Sequence, residues 1–200
     1  MLFLHLRFSK KGDGGGGCDL TQPQFGGRAD DAPFRCLDIK HMEGQLPLLY
    51  GDDAVEIPGA RSVLDAVTKQ SVPWAIVTSG TTPLVSGWLN VLKLPRPEHL
   101  VVAEDVEKGK PDPTCYLMGK RKLHLGDGDD VLVFEDSPAG IAAGKAAGCK
   151  VLGVVTSHTV EQIIDAAPDW IVQDLRSFKI VGTSDLGVEV EISNALNLAK

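Results

Sequence analysis

The chain has 200 residues, room for one domain of ordinary size, and its 43% hydrophobic and 24% charged residues exclude a wholly disordered chain. Twenty Lys and Arg against 27 Asp and Glu leave a net charge of −7 and a pI near 5.2, so no basic stripe is at hand for a nucleic-acid backbone. No apolar run is long enough to span a bilayer. Cys18, Cys36, Cys115 and Cys149 lie far apart, with no CxxC pair and no His at zinc-finger spacing, and read as free thiols of a reducing cytoplasm. The opening residues 1–8 are too short for a signal-peptide core and run into a glycine tract instead of a cleavage site; the lack of acids before Asp13 is a faint organelle-targeting signal.

In chain order, the composition changes near residue 42. Before it stand Gly14 to Gly17, Pro23, Gly26-Gly27 and Pro33, so residues 1–41 form a glycine-rich segment and 9–41 are expected to be loosely structured. After a short stretch, 42–57, the rhythm becomes regular. Helices are predicted over 60–69, 83–92, 113–123, 138–148 and 160–166; strands over 74–78, 100–103, 131–134, 151–155 and 170–172; and a hairpin over 178–192. Short apolar strands alternating with helices imply an α/β fold, a doubly wound parallel sheet of Rossmann type covered on both faces.

In such sheets ligands sit beyond the carboxyl ends of the strands. The residues there are Thr78-Ser79-Gly80-Thr81, then Lys110 in the proline-stiffened run Lys108-Gly109-Lys110-Pro111-Asp112-Pro113, then Glu135-Asp136-Ser137-Pro138. Hydroxyls and backbone N–H groups suit phosphate oxygens, a lysine neutralises them, and paired carboxylates suit a hard cation such as Mg²⁺. Each piece has a plainer use. Ser79 can cap the next helix, Lys110 can be a solvated surface lysine, and Glu135-Asp136 can supply N-terminal charge to a helix with Ser137 as its cap. Their convergence on one rim favours a phosphate-and-metal site.

Ile76-Val77-Thr78-Ser79-Gly80-Thr81, Gly109-Lys110-Pro111-Asp112-Pro113 and Val133-Phe134-Glu135-Asp136-Ser137-Pro138-Ala139-Gly140-Ile141 resemble motifs II, III and IV of the haloacid dehalogenase superfamily. The run on to Gly148 resembles in particular the fungal glycerol-phosphate and 2-deoxyglucose-6-phosphate phosphatases. The resemblance covers residues 43–200 and implies Mg²⁺-dependent hydrolysis of small polyol or sugar phosphate monoesters on a Rossmann-like core, 58–200, with 42–57 the remnant of a helical cap. It implies that Ser79 and the Gly80 N–H hold the phosphate, that Lys110 bridges phosphate and nucleophile, and that Asp136 and Glu135 hold Mg²⁺. The expected partner is a small phosphate monoester, with no nucleic acid and no membrane, and the chain is expected to be a cytoplasmic monomer.

The family's first motif, an apolar strand ending in Asp-x-Asp-Gly-Thr, supplies the nucleophile and the general acid/base, and the sequence contains no such segment. Asp127-Gly128-Asp129 precedes its strand and so lies at the wrong end of the sheet, and Asp13 has no second Asp at the right offset. The expectation is therefore a chain whose front has been lost or replaced, through a gene-model error or a splice form, and which is catalytically inactive as written. The runner-up reading is a non-catalytic phosphate-binding or interaction module. The missing strand is also a structural loss, because each unpaired backbone group buried on its neighbours costs roughly 1–3 kcal/mol. Residues 2–8 are the apolar candidate to fill the slot, as a parallel strand between 74–78 and 131–134 that would bring Ser9 and Lys10 toward Ser79, Lys110 and Asp136. Gly12 to Gly17 spells GxGxxG, but the residues after it cannot open a helix, and a glycine tract meets any glycine pattern by accident.

Overall fold

A computed structural model of the chain describes residues 2–4, 9–10, 32–126, 130–184 and 187–196. In chain order the elements are β1 (Leu2–Leu4), β2 (Ser9–Lys10), α1 (Ala32–Tyr50), β3 (Ala54–Val55), α2 (Ala60–Lys69), β4 (Trp74–Val77), α3 (Thr82–Val91), β5 (His99–Val101), α4 (Thr114–Lys122), β6 (Leu132–Glu135), α5 (Pro138–Ala146), β7 (Lys150–Val154), α6 (Val160–Asp165), β8 (Trp170–Val172), β9 (Phe178–Ser184) and β10 (Gly187–Ile192). Six strands form one parallel sheet in the order β5-β4-β1-β6-β7-β8, and β9 and β10 make an antiparallel hairpin. This is the doubly wound α/β architecture that the alternation of elements implies, with element ends shifted by a residue or two. Among the described residues no helix is long and apolar enough to cross a membrane.

Because side chains alternate across a strand, the sheet sorts its apolar residues into two cores. Trp74, Ile76, Phe134, Leu152, Val154 and Val172 point to one, closed by Val63, Leu64 and Val67 of α2, Leu89 of α3 and Phe178, whose ring meets Phe134 edge-on at 4.8 Å between centroids. Ala75, Val77, Val133, Val151 and Ile171 point to the other, closed by Tyr116 of α4, Ile141 and Ala143 of α5 and Ile163 of α6. The turn into α2 requires Gly59, whose φ is +88° and where a Cβ would lie 2.4 Å from the Arg176 amide nitrogen.

The central slot is occupied. Leu2, Phe3 and Leu4 pair in parallel with Trp74, Ala75 and Ile76 on one side and with Leu132, Val133 and Phe134 on the other. The expected strand is thus present over Leu2–Leu4; His5 to Phe8, the glycine tract and Asp127-Gly128-Asp129 lie outside the described residues. Ser9 and Lys10 pair antiparallel with Val55 and Ala54.

The expectation of loose structure over 9–41 is corrected at Ser9–Lys10 and from Ala32 onward, and the boundary placed after residue 41 falls inside α1. Pro33 does not prevent this, because a proline in the first turn of a helix gives up an N–H that has no intrahelical partner. A second proline, Pro47, stands inside α1 and packs on α3 at Gly87, where a Cβ would lie 2.5 Å from the Pro47 ring. Gly44 rests beside Pro83 in the same seam. The helix is inverted in character: Gly44 and Pro47 face α3, while Ile39, Met42, Leu46 and Leu49, spaced for one stripe, are exposed.

Candidate active site

Lys110 organises the rim. Its Nζ lies 3.4 Å from the carbonyl oxygen of Val77, the last residue of β4, and forms an ion pair with Glu135 Oε1 at the end of β6. Since β1 runs between β4 and β6, this side chain reaches across the carboxyl end of the central slot. Only 6% of it is exposed, so it is not a solvated surface lysine.

Glu135 is wholly buried. Besides Lys110, its Oε1 accepts the Tyr116 hydroxyl, and its Oε2 accepts the Ser137 hydroxyl at 3.0 Å. The carboxylate lies against the first turn of α5 at Gly140, where a Cβ would come within 2.0 Å of it. Ser137 meanwhile caps α5, its oxygen accepting the Gly140 N–H at 3.1 Å, so the capping role and the place in the site belong to one residue. Burial, followed by the charge of Glu135, holds the Tyr116 phenol well above its ordinary value of 10.0, which keeps it a donor. The Lys110 ammonium also stands 5.0 Å over the Tyr116 ring.

Asp136, 3% exposed, turns the other way, toward the loop after β7. Its Oδ2 accepts Thr156 Oγ1 at 2.9 Å and Ser157 Oγ at 2.7 Å, and His158 Nδ1 lies 2.9 Å from its carbonyl oxygen. For Mg²⁺ the donor set is short: both Glu135 oxygens are engaged, and no cluster of three His, Cys, Asp or Glu side chains that could hold a metal occurs among the described residues. These residues alone do not make a metal centre.

Ser79 is exposed at the rim, but the N-cap of α3 is Thr81, not Ser79. The Gly80 N–H donates to the Thr78 hydroxyl at 3.1 Å, since a threonine two residues back offers an oxygen within the same turn. The Thr81 N–H donates to Glu43 Oε2 at 2.9 Å, and the Thr82 N–H to both oxygens of Glu104 at 3.2 Å. Asp112 spends its carboxylate on the start of α4: bonds from the Thr114 hydroxyl and then the Thr114 N–H pull its pKa below the ordinary value. Thus the fold brings Ser79, Lys110, Glu135 and Asp136 to one rim, and it adds Glu43, Glu104, Tyr116, Thr156, Ser157 and His158. No local pattern marks these additions, since each acts on a residue distant in sequence.

The family model for haloacid dehalogenase-like hydrolases matches residues 45–154. The chain belongs to this family. Glycerol-1-phosphate phosphohydrolase 1 of Saccharomyces cerevisiae is 39% identical over 151 residues, covering 71% of this chain and 60% of that protein. 2-deoxyglucose-6-phosphate phosphatase 1 of the same yeast is 33% identical over 174 residues, covering 79% and 71%. The chain therefore spans about three fifths of the length of the first of these relatives. The solved structure of CbbY from Rhodobacter sphaeroides in complex with phosphate superposes with a TM-score of 0.62 at 20% identity, covering 74% of this chain and 68% of that one, a likeness of fold.

Proposed function

We propose that the chain binds the phosphate group of a small polyol or sugar phosphate monoester at Ser79 and Lys110, and that the 200-residue polypeptide does not hydrolyse it. The observation that carries the reading is the Lys110 ammonium, buried and bridging Val77 and Glu135 across the end of β1. A cation fixed there neutralises phosphate oxygens, and Glu135, held in turn by Tyr116 and Ser137, fixes the cation. Ser79 offers a hydroxyl from the neighbouring loop. The relatives named for glycerol-1-phosphate and 2-deoxyglucose-6-phosphate support the substrate class.

The nucleophile is the missing part. The residues that follow β1 in the sequence are His5-Leu6-Arg7-Phe8, and the first carboxylate of the chain is Asp13. Positioning a phosphate without a carboxylate to attack it forms no aspartyl-phosphate. Mg²⁺ would offset phosphate charge, but of the two carboxylates expected to hold it Glu135 is engaged, so Asp136 would hold it only loosely. Titration calorimetry with inorganic phosphate is expected to show saturable binding, weakened about tenfold in Ser79→Ala, a loss of about 1.4 kcal/mol. No turnover of p-nitrophenyl phosphate above background is expected, with or without Mg²⁺. Mg²⁺-dependent turnover abolished by Asp136→Ala would overturn the inactive reading. The exposed apolar stripe of α1 favours the second reading, an interaction module.

A further inference from the structure

We infer that Glu43 is a positioning residue for the Ser79 loop: a helix cap supplied from another element, through which α1 sets the loop's shape. The inference rests on the phosphate reading for its functional meaning and on independent geometry for its substance.

A helix opens with backbone N–H groups that have no intrahelical acceptor, and the N-cap side chain ordinarily takes one of them. Thr81, the N-cap of α3, has the right residue type and the right extended backbone, with φ −76° and ψ 162°, yet its side chain accepts no capping bond. Its Oγ1 is buried with no hydrogen-bond partner among the described residues. The donors are served from elsewhere. Glu43 reaches from α1 to the Thr81 N–H, and Glu104, in the turn after β5, takes the Thr82 N–H. Lys40, one turn before Glu43 on α1, pairs with Glu104 at 3.3 Å. One face of α1 therefore provides the carboxylate for the first donor and the cation that steadies the carboxylate on the second.

The remaining anchors on the stretch before Thr81 are local or come from β5 and the turn after it: Gly80 donates to Thr78, Thr78 donates to the Val101 carbonyl, and Ala103 donates to the Gly80 carbonyl. All of them lie before Thr81. Glu43, beside Glu104 on the next N–H, fixes the far end of the turn that carries Ser79, and the seating of α1 on α3 at Gly44 and Gly87 holds Glu43 in reach. Seating or lifting α1 thus changes the geometry offered to phosphate without touching a phosphate-contacting side chain.

The test uses the full chain with Glu43→Ala and Glu43→Gln. Glutamine keeps an acceptor oxygen at the same reach and removes only the charge. Two measurements are made: amide hydrogen exchange at Thr81, and calorimetric titration with inorganic phosphate. The expected result is a Thr81 exchange rate at least tenfold faster in Glu43→Ala and near wild type in Glu43→Gln. Phosphate affinity should fall about tenfold in the alanine variant and recover to within threefold in the glutamine variant. Unchanged Thr81 exchange in Glu43→Ala would overturn the cap. Tighter phosphate binding in both variants would overturn the positioning role and make Glu43 a repelling charge. A wild-type chain that binds no phosphate, with Thr81 exchange still accelerated in Glu43→Ala, would overturn the phosphate reading and uphold the cap.

Discussion

The loops after β4 and β6 lie on either side of the same central strand and treat charge in opposite ways. After β4 the chain presents backbone donors, and carboxylates arrive from elsewhere to take them: Glu43 on Thr81 and Glu104 on Thr82. After β6 the chain presents carboxylates, and beside the local Ser137 hydroxyl the donors arrive from elsewhere: Lys110 and Tyr116 on Glu135, Thr156 and Ser157 on Asp136. The two differ in burial as well. Ser79 is exposed, whereas Glu135 and Asp136 keep 1% and 3% of their surface. A buried carboxylate is tolerable only when paired and hydrogen-bonded, and an exposed loop can exchange its partners with water at little cost. The β6 side should therefore respond to mutation as structure, and the β4 side as function.

The largest expected effect is at Gly140. Alanine there would put a methyl group where the Glu135 carboxylate lies, forcing it away from Lys110 and Ser137. Separating a buried ion pair costs about 3–5 kcal/mol. Denaturant unfolding of Gly140→Ala should show a loss of that order, and a loss under 1 kcal/mol would show that Glu135 has room to move, erasing the contrast between the two loops.

Tyr116→Phe should come next. It keeps the ring under Lys110 and removes one donor from a buried carboxylate. Hydrogen bonds to charged groups are worth roughly 1.5–3 kcal/mol, and the variant should unfold earlier in urea by about that much. Ser79→Ala, on the exposed loop, should leave the urea midpoint unmoved. Equal losses in the two variants would break the comparison.

The smallest effect is the acid limb. The Arg176 side chain holds Asp174 below its ordinary pKa, and the bonds from Thr114 do the same for Asp112. For Glu104, burial pulls the pKa up, but bonds from its own and the Thr82 N–H and the charge of Lys40 outweigh it and leave the group lowered. Groups whose folded pKa is depressed add stability that is present above their unfolded values, near 4, and lost as the pH falls through the folded ones. The melting temperature should be flat above about pH 5 and decline below about pH 4. In Glu104→Gln that decline should be shallower, and an unchanged curve would remove Glu104 from the account.

Much of this molecule is legible in its sequence because the deciding forces are local. The repeat of short apolar strands and amphipathic helices fixes the α/β class, since a strand buried on both faces must be apolar throughout, and α2 and β8 begin and end where their residue patterns say. The rim residues Ser79, Lys110, Glu135 and Asp136 are likewise legible, because the carboxyl ends of parallel strands are neighbours by topology. The tertiary structure alone decides who partners whom. Glu135 faces inward to Lys110 and Tyr116 instead of outward, and the Gly80 N–H is taken by Thr78. Thr81 is capped by a residue 38 positions earlier in the chain. α1 begins at Ala32, inside a stretch whose composition reads as linker, because its seat against α3 supplies what local propensity does not. Hydrogen-bond partners separated by tens of residues leave no periodic trace in sequence, since only the packed sheet and its covering helices bring them within about 3 Å of one another.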